Sequence, residues 1–301
     1  MTSPRTFTTL AQALSKLQTL GLERLDAQLL LLHVLGRPGH QRSWLLAHDS
    51  DAFPAEQAGR LAALAERRIT GEPLAYLTGH KEFYGLDFCV DGRVLVPRPD
   101  TETLVNWALE VLASPSGHVS PPPKGQAWGE GDDPSLLDLG TGSGAIALAL
   151  KSQLSRLQVH ATDVSADALT VAQTNAGRLQ LDVKFSQGPW FAALPVACRL
   201  FDCIVSNPPY IAQDDPHLNA LAHEPEQALT SGTDGLDDIR HIIEQAPTHL
   251  KPGGWLLLEH GYDQAAAVRT LLAASGFTAV QSRRDLAGIE RCSGAQMAFE
   301  I

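Results

Sequence analysis

The sequence predicts an α/β fold: a parallel β-sheet covered by helices on both faces, preceded by a small helical bundle. Three observations predict it. From Leu136 onward, short apolar runs alternate with helical stretches, the pattern of strands buried on both faces. A glycine-rich turn, Gly140-Thr141-Gly142-Ser143-Gly144, follows the first of those runs and opens a helix. It places closely approachable backbone at the carboxyl end of a strand, where open α/β sheets bind ligands. Before residue 70, apolar residues instead recur at helical spacing between glycine and proline stops.

In the N-terminal stretch, Leu10, Ala13, Leu14 and Leu17 share one helical face, and Gly21 stops that helix. Leu25 to Leu35 forms a second helix, closed by Gly36 with Pro38 beyond. Pro54 opens a third, carrying Leu61, Leu64 and Ala65. No catalytic constellation falls here, so the bundle is expected to pack or to dock a partner. Residues 81–96 change character, with Phe83, Tyr84, Phe88, Val90, Val94, Leu95 and Val96 among Gly85 and Asp91-Gly92. They predict a β-hairpin turning at Asp91-Gly92. The domain boundaries that follow are 1–78 for the helical domain, 79–96 for the hairpin linker and 97–301 for the α/β domain. Residues 114–134 are rich in Pro, Gly and Ser without a period, and predict a surface insertion. Strands are expected at 136–139, 158–162, 183–185, 202–206 and 255–259, with helices near 145–154, 165–178 and 236–249. A terminal hairpin is expected from 277–283 and 295–301.

At 301 residues the chain has the length of about two domains, and 44% hydrophobic content supports a substantial core. A formal net charge of -11 argues against charge-driven, sequence-independent nucleic-acid binding. No apolar run reaches the roughly 18 residues of a membrane span, and the first residues carry no apolar signal core. A soluble cytoplasmic protein is expected, and with no coiled-coil stripe, a monomer. The cysteines Cys89, Cys198, Cys203 and Cys292 form no C-x-x-C pair and meet no histidine at zinc spacing. Buried, reduced thiols and no metal are expected.

Gly140-x-Gly142-x-x-Ala145 also fits the relaxed dinucleotide fingerprint, so a nicotinamide enzyme is a rival reading. The third glycine, Gly144, and the acidic Asp138 ahead of the turn favour S-adenosyl-L-methionine. That cofactor has no pyrophosphate to cradle, but carries a cationic sulfonium and an amino-acid end. No Gly-Lys-Ser/Thr follows, which excludes a P-loop. Asp163 ends the second strand, where a carboxylate accepts both ribose hydroxyls; Ser165 serves better as cap of the next helix. Trp190, in Gly188-Pro189-Trp190 after the third strand, stands where an adenine would lie. Gly253-Gly254-Trp255 reads as architecture, and Lys251 and Glu259 have no assigned role.

Asn207-Pro208-Pro209-Tyr210 follows the apolar run Cys203-Ile204-Val205. Such a turn at a strand end suits a planar nitrogen, an amide or the exocyclic amine of a base, onto which a carbon is transferred. The nitrogen is a poor nucleophile because its lone pair is delocalised. The Asn207 side-chain oxygen and the Pro208 carbonyl can each accept one of its N–H bonds. The prolines stiffen the loop that aims that carbonyl, and Tyr210 offers a flat face. The same tetrapeptide type serves adenine-N6 methylation of nucleic acid, which the acidic charge disfavours.

Four motifs occur in order: Arg93-Val-Leu-Val-Pro-Arg-Pro-Asp-Thr-Glu102, Asp138-Leu-Gly-Thr-Gly-Ser-Gly-Ala145, Ser206-Asn-Pro-Pro-Tyr210 and Glu224-Pro-Glu226. In these the chain resembles the HemK/PrmC protein-(glutamine-N5) methyltransferases, over nearly its whole length. The resemblance implies a Rossmann-like, seven-stranded class I methyltransferase domain behind a helical N-terminal domain and a β-hairpin. It implies S-adenosyl-L-methionine as cofactor and, as protein substrate, the Gly-Gly-Gln glutamine of class 1 peptide chain release factors. Gly140, Thr141, Gly142, Ser143 and Gly144 would then line the methionine and ribose part, Asp163 hold the ribose and Trp190 sit by the adenine. Asn207, Pro208, Pro209 and Tyr210 would hold the glutamine amide, with Asn207 near the methyl donor as well. The Pro97 to Glu102 stretch resembles the release-factor branch rather than the related ribosomal-protein branch. Arg98 and Glu102 would shape the cleft or form an ion pair at the domain junction.

Overall fold

The computed structural model describes residues 8–113, 133–195 and 200–298. The insertion expected at 114–134, except its last residues, lies outside them, as do Cys198 and the end of the last expected strand. The chain divides between His80 and Lys81 into two compact units.

The first unit is helical: α1 (Leu10–Thr19), α2 (Arg24–Val34), α3 (Arg42–Ala47), α4 (Ala58–Ile69) and α5 (Leu74–Thr78). Thr9 caps α1 by accepting the Gln12 amide. The apolar faces of α1, α2 and α4 meet in one core, with Leu17, Leu30, Leu31 and Leu61 nearly inaccessible. Arg68 of α4 pairs with Asp26 of α2 at 2.6 Å. The short α3 and α5 were not expected; each is little more than one turn, too brief to show a period.

The second unit begins with a hairpin, β1 (His80–Phe83) and β2 (Leu86–Cys89), whose turn is not the expected Asp91-Gly92. Tyr84 and Gly85 make the turn, with φ of 52° and 77°. A type I′ hairpin turn needs positive φ at both central positions. Tyr84 tolerates it because tertiary contacts hold it: its hydroxyl donates to Asn106 at 2.7 Å, and Gly85 donates its amide to Glu82 at 2.7 Å. Asp91 instead starts a separate turn, accepting the Arg93 amide at 3.0 Å and both ends of its guanidinium.

Helix α6 (Glu102–Ala113) follows, then β3 (Ser135–Leu139), α7 (Ala145–Gln153), β4 (Gln158–Asp163), α8 (Ala166–Leu179) and β5 (Lys184–Gln187). The remainder is β6 (Phe201–Ser206), α9 (Asp237–Gln245), β7 (Leu250–Glu259), α10 (Ala265–Ala274), β8 (Thr278–Arg284) and β9 (Glu290–Gln296). The last strand therefore precedes the expected 295–301, and α6 and α10 were not expected.

The seven strands lie in the order β5-β4-β3-β6-β7-β9-β8. All pairs are parallel except those made by β9 with β7 and β8. Alternation along the strands divides the core. Leu137, Leu139, Ile204, Leu256 and Leu258 pack with Ile239 and Ile242 of α9 and Val268 and Leu272 of α10. On the opposite face, Trp255 meets Trp107 of α6 edge-on at 6.1 Å. Order reverses at β3 and β6, so their carboxyl ends flank the crevice where ligands bind in such sheets.

Candidate active site

The β3 end runs into the glycine loop. At Gly140, with φ 70°, an added Cβ would lie 3.3 Å from the Trp190 ring, so a side chain there would be strained in backbone and crowded against the ring. Thr141 donates its amide to the Thr162 carbonyl at 2.9 Å, tying the loop to β4. Asp138 is completely buried beneath the loop. Its Oδ2 accepts the Thr141 hydroxyl at 2.6 Å and the Ala147 amide at 3.2 Å, while Oδ1 has no partner. Burial pushes its carboxyl up to about 7, against the pull of those hydrogen bonds.

Asp163, at the end of β4, accepts the Gly142 amide on one oxygen and the Ser165 amide on the other, both at 2.9 Å. Burial raises its pKa, and these backbone bonds oppose the rise. Ser165, not Asp163, caps α8, accepting the Ala168 amide at 3.1 Å. Asn175 braces the loop from below, donating to the Ser143 carbonyl at 2.9 Å and to the Cys89 carbonyl at 3.0 Å. Trp190 holds a left-handed backbone, φ 48°, just past β5.

The second strand end carries the Asn-Pro-Pro-Tyr turn. Leu139 and Ser206 are register partners, so Asn207 leaves β6 beside Gly140. Asn207 Nδ2 donates to the Thr101 hydroxyl at 3.4 Å. The Tyr210 hydroxyl donates to Glu259 at 3.4 Å, and Gln264 donates to the Tyr210 carbonyl at 3.0 Å. Gly235 is needed here, because its φ is 75° and a Cβ would stand 2.2 Å from that carbonyl. Glu259 is fully buried, with one oxygen unpartnered, and burial pushes it up to about 7. Arg98 forms an ion pair with Glu224, not with Glu102. Glu224 is buried and also accepts the Val96 amide at 3.1 Å.

These elements enclose a cavity of 310 Å³. Its lining brings together Gly140, Thr141, Gly142, Ser143, Asp163, Trp190, Asn207 and Pro209 from the expected set, with Arg98 and Thr101. Tyr210 lines a second cavity of 340 Å³, which shares Leu95, Arg98, Asn207 and Ala228 with the first. Asp138, Gly144 and Pro208 are not on either wall. Asp138 lies under the loop, and Pro208 is buried in the turn it stiffens. Sequence reasoning assigned nothing to Asn175, Thr101, Glu224 or Glu259. Thr101 and Glu224 lay inside quoted motifs; Asn175 and Glu259 carried no local signal.

The sheet order, with its antiparallel last strand, and the crevice at the ends of β3 and β6 define the class I methyltransferase fold. A methyltransferase structure from Pyrococcus furiosus shares that fold, at 20% identity and a TM-score of 0.52, over 80% of this chain and 100% of that one. Residues 8–79 match the family description "PrmC N-terminal domain", and residues 130–275 match "Methyltransferase small domain". A release factor glutamine methyltransferase of Bordetella pertussis is 49% identical over 92% of this chain and 96% of its own length. One from Burkholderia pseudomallei is 46% identical over 95% of this chain and 96% of its own. The chain belongs to the release factor glutamine methyltransferase family, the family its motifs resemble.

Proposed function

We propose that the chain transfers a methyl group from S-adenosyl-L-methionine to the side-chain nitrogen, N5, of the Gly-Gly-Gln glutamine in class 1 peptide chain release factors. One observation carries the reading: the glycine loop, Asp163, Trp190 and Asn207 converge on a single cavity. The residues suit the cofactor. Gly140 and Trp190, which lie against each other, both face the cavity, and a buried Asp138 oxygen without a partner favours a cation above the loop. Gly140 to Gly144 would hold the methionine and ribose part, Asp163 the ribose hydroxyls and Trp190 the adenine. When bound, the cofactor supplies an electrophilic methyl group on a sulfonium.

The chain's own residues position and polarise the acceptor. The Asn207 oxygen and the Pro208 carbonyl accept the N–H bonds of the glutamine amide, and the Tyr210 ring lies along its plane. Removing a proton from a neutral amide beforehand is very costly. Acceptors aimed at the N–H bonds instead stabilise the positive charge that grows there. Holding the amide in line supplies the orientation part of catalysis.

On this reading residues 1–78 dock the release factor, 79–96 link the domains and 97–301 perform the transfer. Selecting one glutamine in a large protein requires recognition beyond its amide. On the same reading the enzyme works as a monomer, in the cytoplasm where release factors act. Among the described residues, no helix is long and apolar enough to cross a membrane.

The test is a transfer assay with radiolabelled S-adenosylmethionine and an unmodified release factor, beside a Gln→Ala variant of its Gly-Gly-Gln loop. Label on the unaltered factor alone is the expected result. No label on either, with cofactor binding established, would overturn the reading.

A further inference from the structure

Exposed large apolar side chains on the α/β unit gather at one edge. Among its described residues they are Val164, Leu200, Tyr262, Leu286 and Ile289. Only Leu200 stands at the amino ends of the parallel strands, just before β6. The other four lie beyond the carboxyl ends, the edge that carries Asn207. Val164 lines the 310 Å³ cavity. Tyr262, Leu286 and Ile289 line neither cavity, and Leu286 is wholly exposed. Apolar side chains scattered singly need no explanation, but three on neighbouring turns mark a surface that a partner covers.

Both turns are braced. In the turn 285–289, between β8 and β9, the buried Asp285 takes the Ala287 and Ile289 amides on Oδ1, at 2.9 and 3.0 Å. Its Oδ2 takes the Arg291 guanidinium at 3.3 Å. Arg284 donates to the Gly288 carbonyl at 2.7 Å. Tyr262 stands in a turn that Gln264 closes, its Oε1 accepting the Gly261 amide at 2.8 Å. His260 donates its amide to the Arg291 carbonyl at 3.0 Å, which sets the two turns side by side. The braces continue into the acceptor site. Gln264 Nε2 donates to the Tyr210 carbonyl at 3.0 Å. Arg291 pairs with Asp100 at 3.4 Å, next to the Thr101 that takes Asn207 Nδ2. Apolar side chains on turns held this firmly cost little ordering when a partner covers them.

We propose that Tyr262, Leu286 and Ile289 form a docking patch on the catalytic unit, separate from the helical domain, for an apolar surface of the release factor beside its Gly-Gly-Gln loop. The inference rests on the proposed release-factor reaction. The acceptor fixes the occupant. A glutamine held at Asn207 belongs to a protein far larger than the cavity, so the surroundings of that glutamine lie over the carboxyl edge. Strand β9 is two places from β6 in the sheet, about 10 Å at the usual strand spacing. A protein whose loop is seated in the acceptor turn therefore covers the patch. Because the braces of the patch end on Tyr210 and on the turn before α6, its position relative to the acceptor turn is fixed.

The experiment compares wild type with Leu286→Ser and Tyr262→Ser. Both side chains are exposed, so the variants are expected to keep the wild-type melting temperature. For the release factor, KM and the Kd for enzyme saturated with S-adenosylhomocysteine are each expected to rise about tenfold or more, as on truncating an interface anchor. The kcat at saturation and KM for S-adenosylmethionine are expected to stay unchanged. A purely structural role would instead lower the melting temperature or kcat and leave KM for the factor alone, and that result would overturn the inference. So would a dimer of the enzyme alone, seen by sedimentation, that Leu286→Ser dissolves, since a second copy would then cover the patch. Should wild type methylate no release factor, the proposed reaction fails and the patch loses its partner. A wild type that methylates it, beside two variants that keep its KM, removes the docking patch alone.

Discussion

Ser206 donates its hydroxyl to the backbone carbonyl of Leu139 across 2.7 Å. The two residues are partners in the parallel register of β3 and β6, and both are completely buried. The bond ties together the strand ends that carry the glycine loop and the Asn-Pro-Pro-Tyr turn. Ser206→Ala should destabilise the α/β unit by about 1 kcal/mol, the usual net worth of such a bond. Urea unfolding measures the loss, and an unchanged midpoint would show that the staple is not needed.

On the proposed mechanism Asn207→Ala removes an acceptor aimed at developing charge, while giving up a single long contact to Thr101. Turnover on the release factor is expected to fall about 10²–10³-fold. The melting temperature should stay close to wild type. Initial rates at saturating cofactor check the first expectation and thermal denaturation the second.

Asp163→Asn is expected to weaken both binding and stability. Its NH2 group would face one of the two backbone amides, of Gly142 and Ser165, that the carboxylate accepts, so urea unfolding should show a loss of about 1 kcal/mol or more. Affinity for S-adenosylhomocysteine should drop by about tenfold or more, the loss of a charge-assisted hydrogen bond. Calorimetric titration of both proteins decides it; equal affinities would remove Asp163 from the ribose role.

Asp138 makes stability depend on pH with a definite sign. Its folded value, about 7, is raised above the ordinary 3.8 by burial. The native state thus holds the proton more tightly than the unfolded chain. Its contribution is fully present below the ordinary value and is lost as pH rises toward the folded one. Relative to wild type, Asp138→Asn should gain stability steadily across that window and level off above it. Denaturant unfolding of both proteins at a series of pH values measures the difference, and a difference flat with pH would rule the assignment out.

Elements with strong local chemistry were legible. The strands expected at 158–162 and 202–206 are β4 and β6 to within one residue at each end, because apolar runs stop at Asp163 and at Asn207-Pro208. Helix α6 leaves little local signal: it emerges from Pro97-Arg98-Pro99, which reads as a rigid linker, and buries Leu104, Val105, Trp107 and Ala108 with little polar contrast. Strand β9 was placed too late because Glu290 to Gln296 is largely polar in composition. Pairing on both sides, with β7 and β8, makes it a strand. The hairpin turn went to Asp91-Gly92 on local propensity, and tertiary contacts to Tyr84 overrode it.

The sequence by itself determined the family, the parallel sheet and the residues at its strand ends, because glycine loops, proline-stiffened turns and apolar periodicity act over a few neighbouring residues. Only the tertiary structure decided the long-range partners. Arg98 pairs with Glu224, 126 positions away, although Glu102 stands nearer in the chain. Glu259 reaches Tyr210 across 49 positions. Such pairs follow from the order and register of the strands, which no local pattern encodes, and burial then sets the protonation of the groups they bring together.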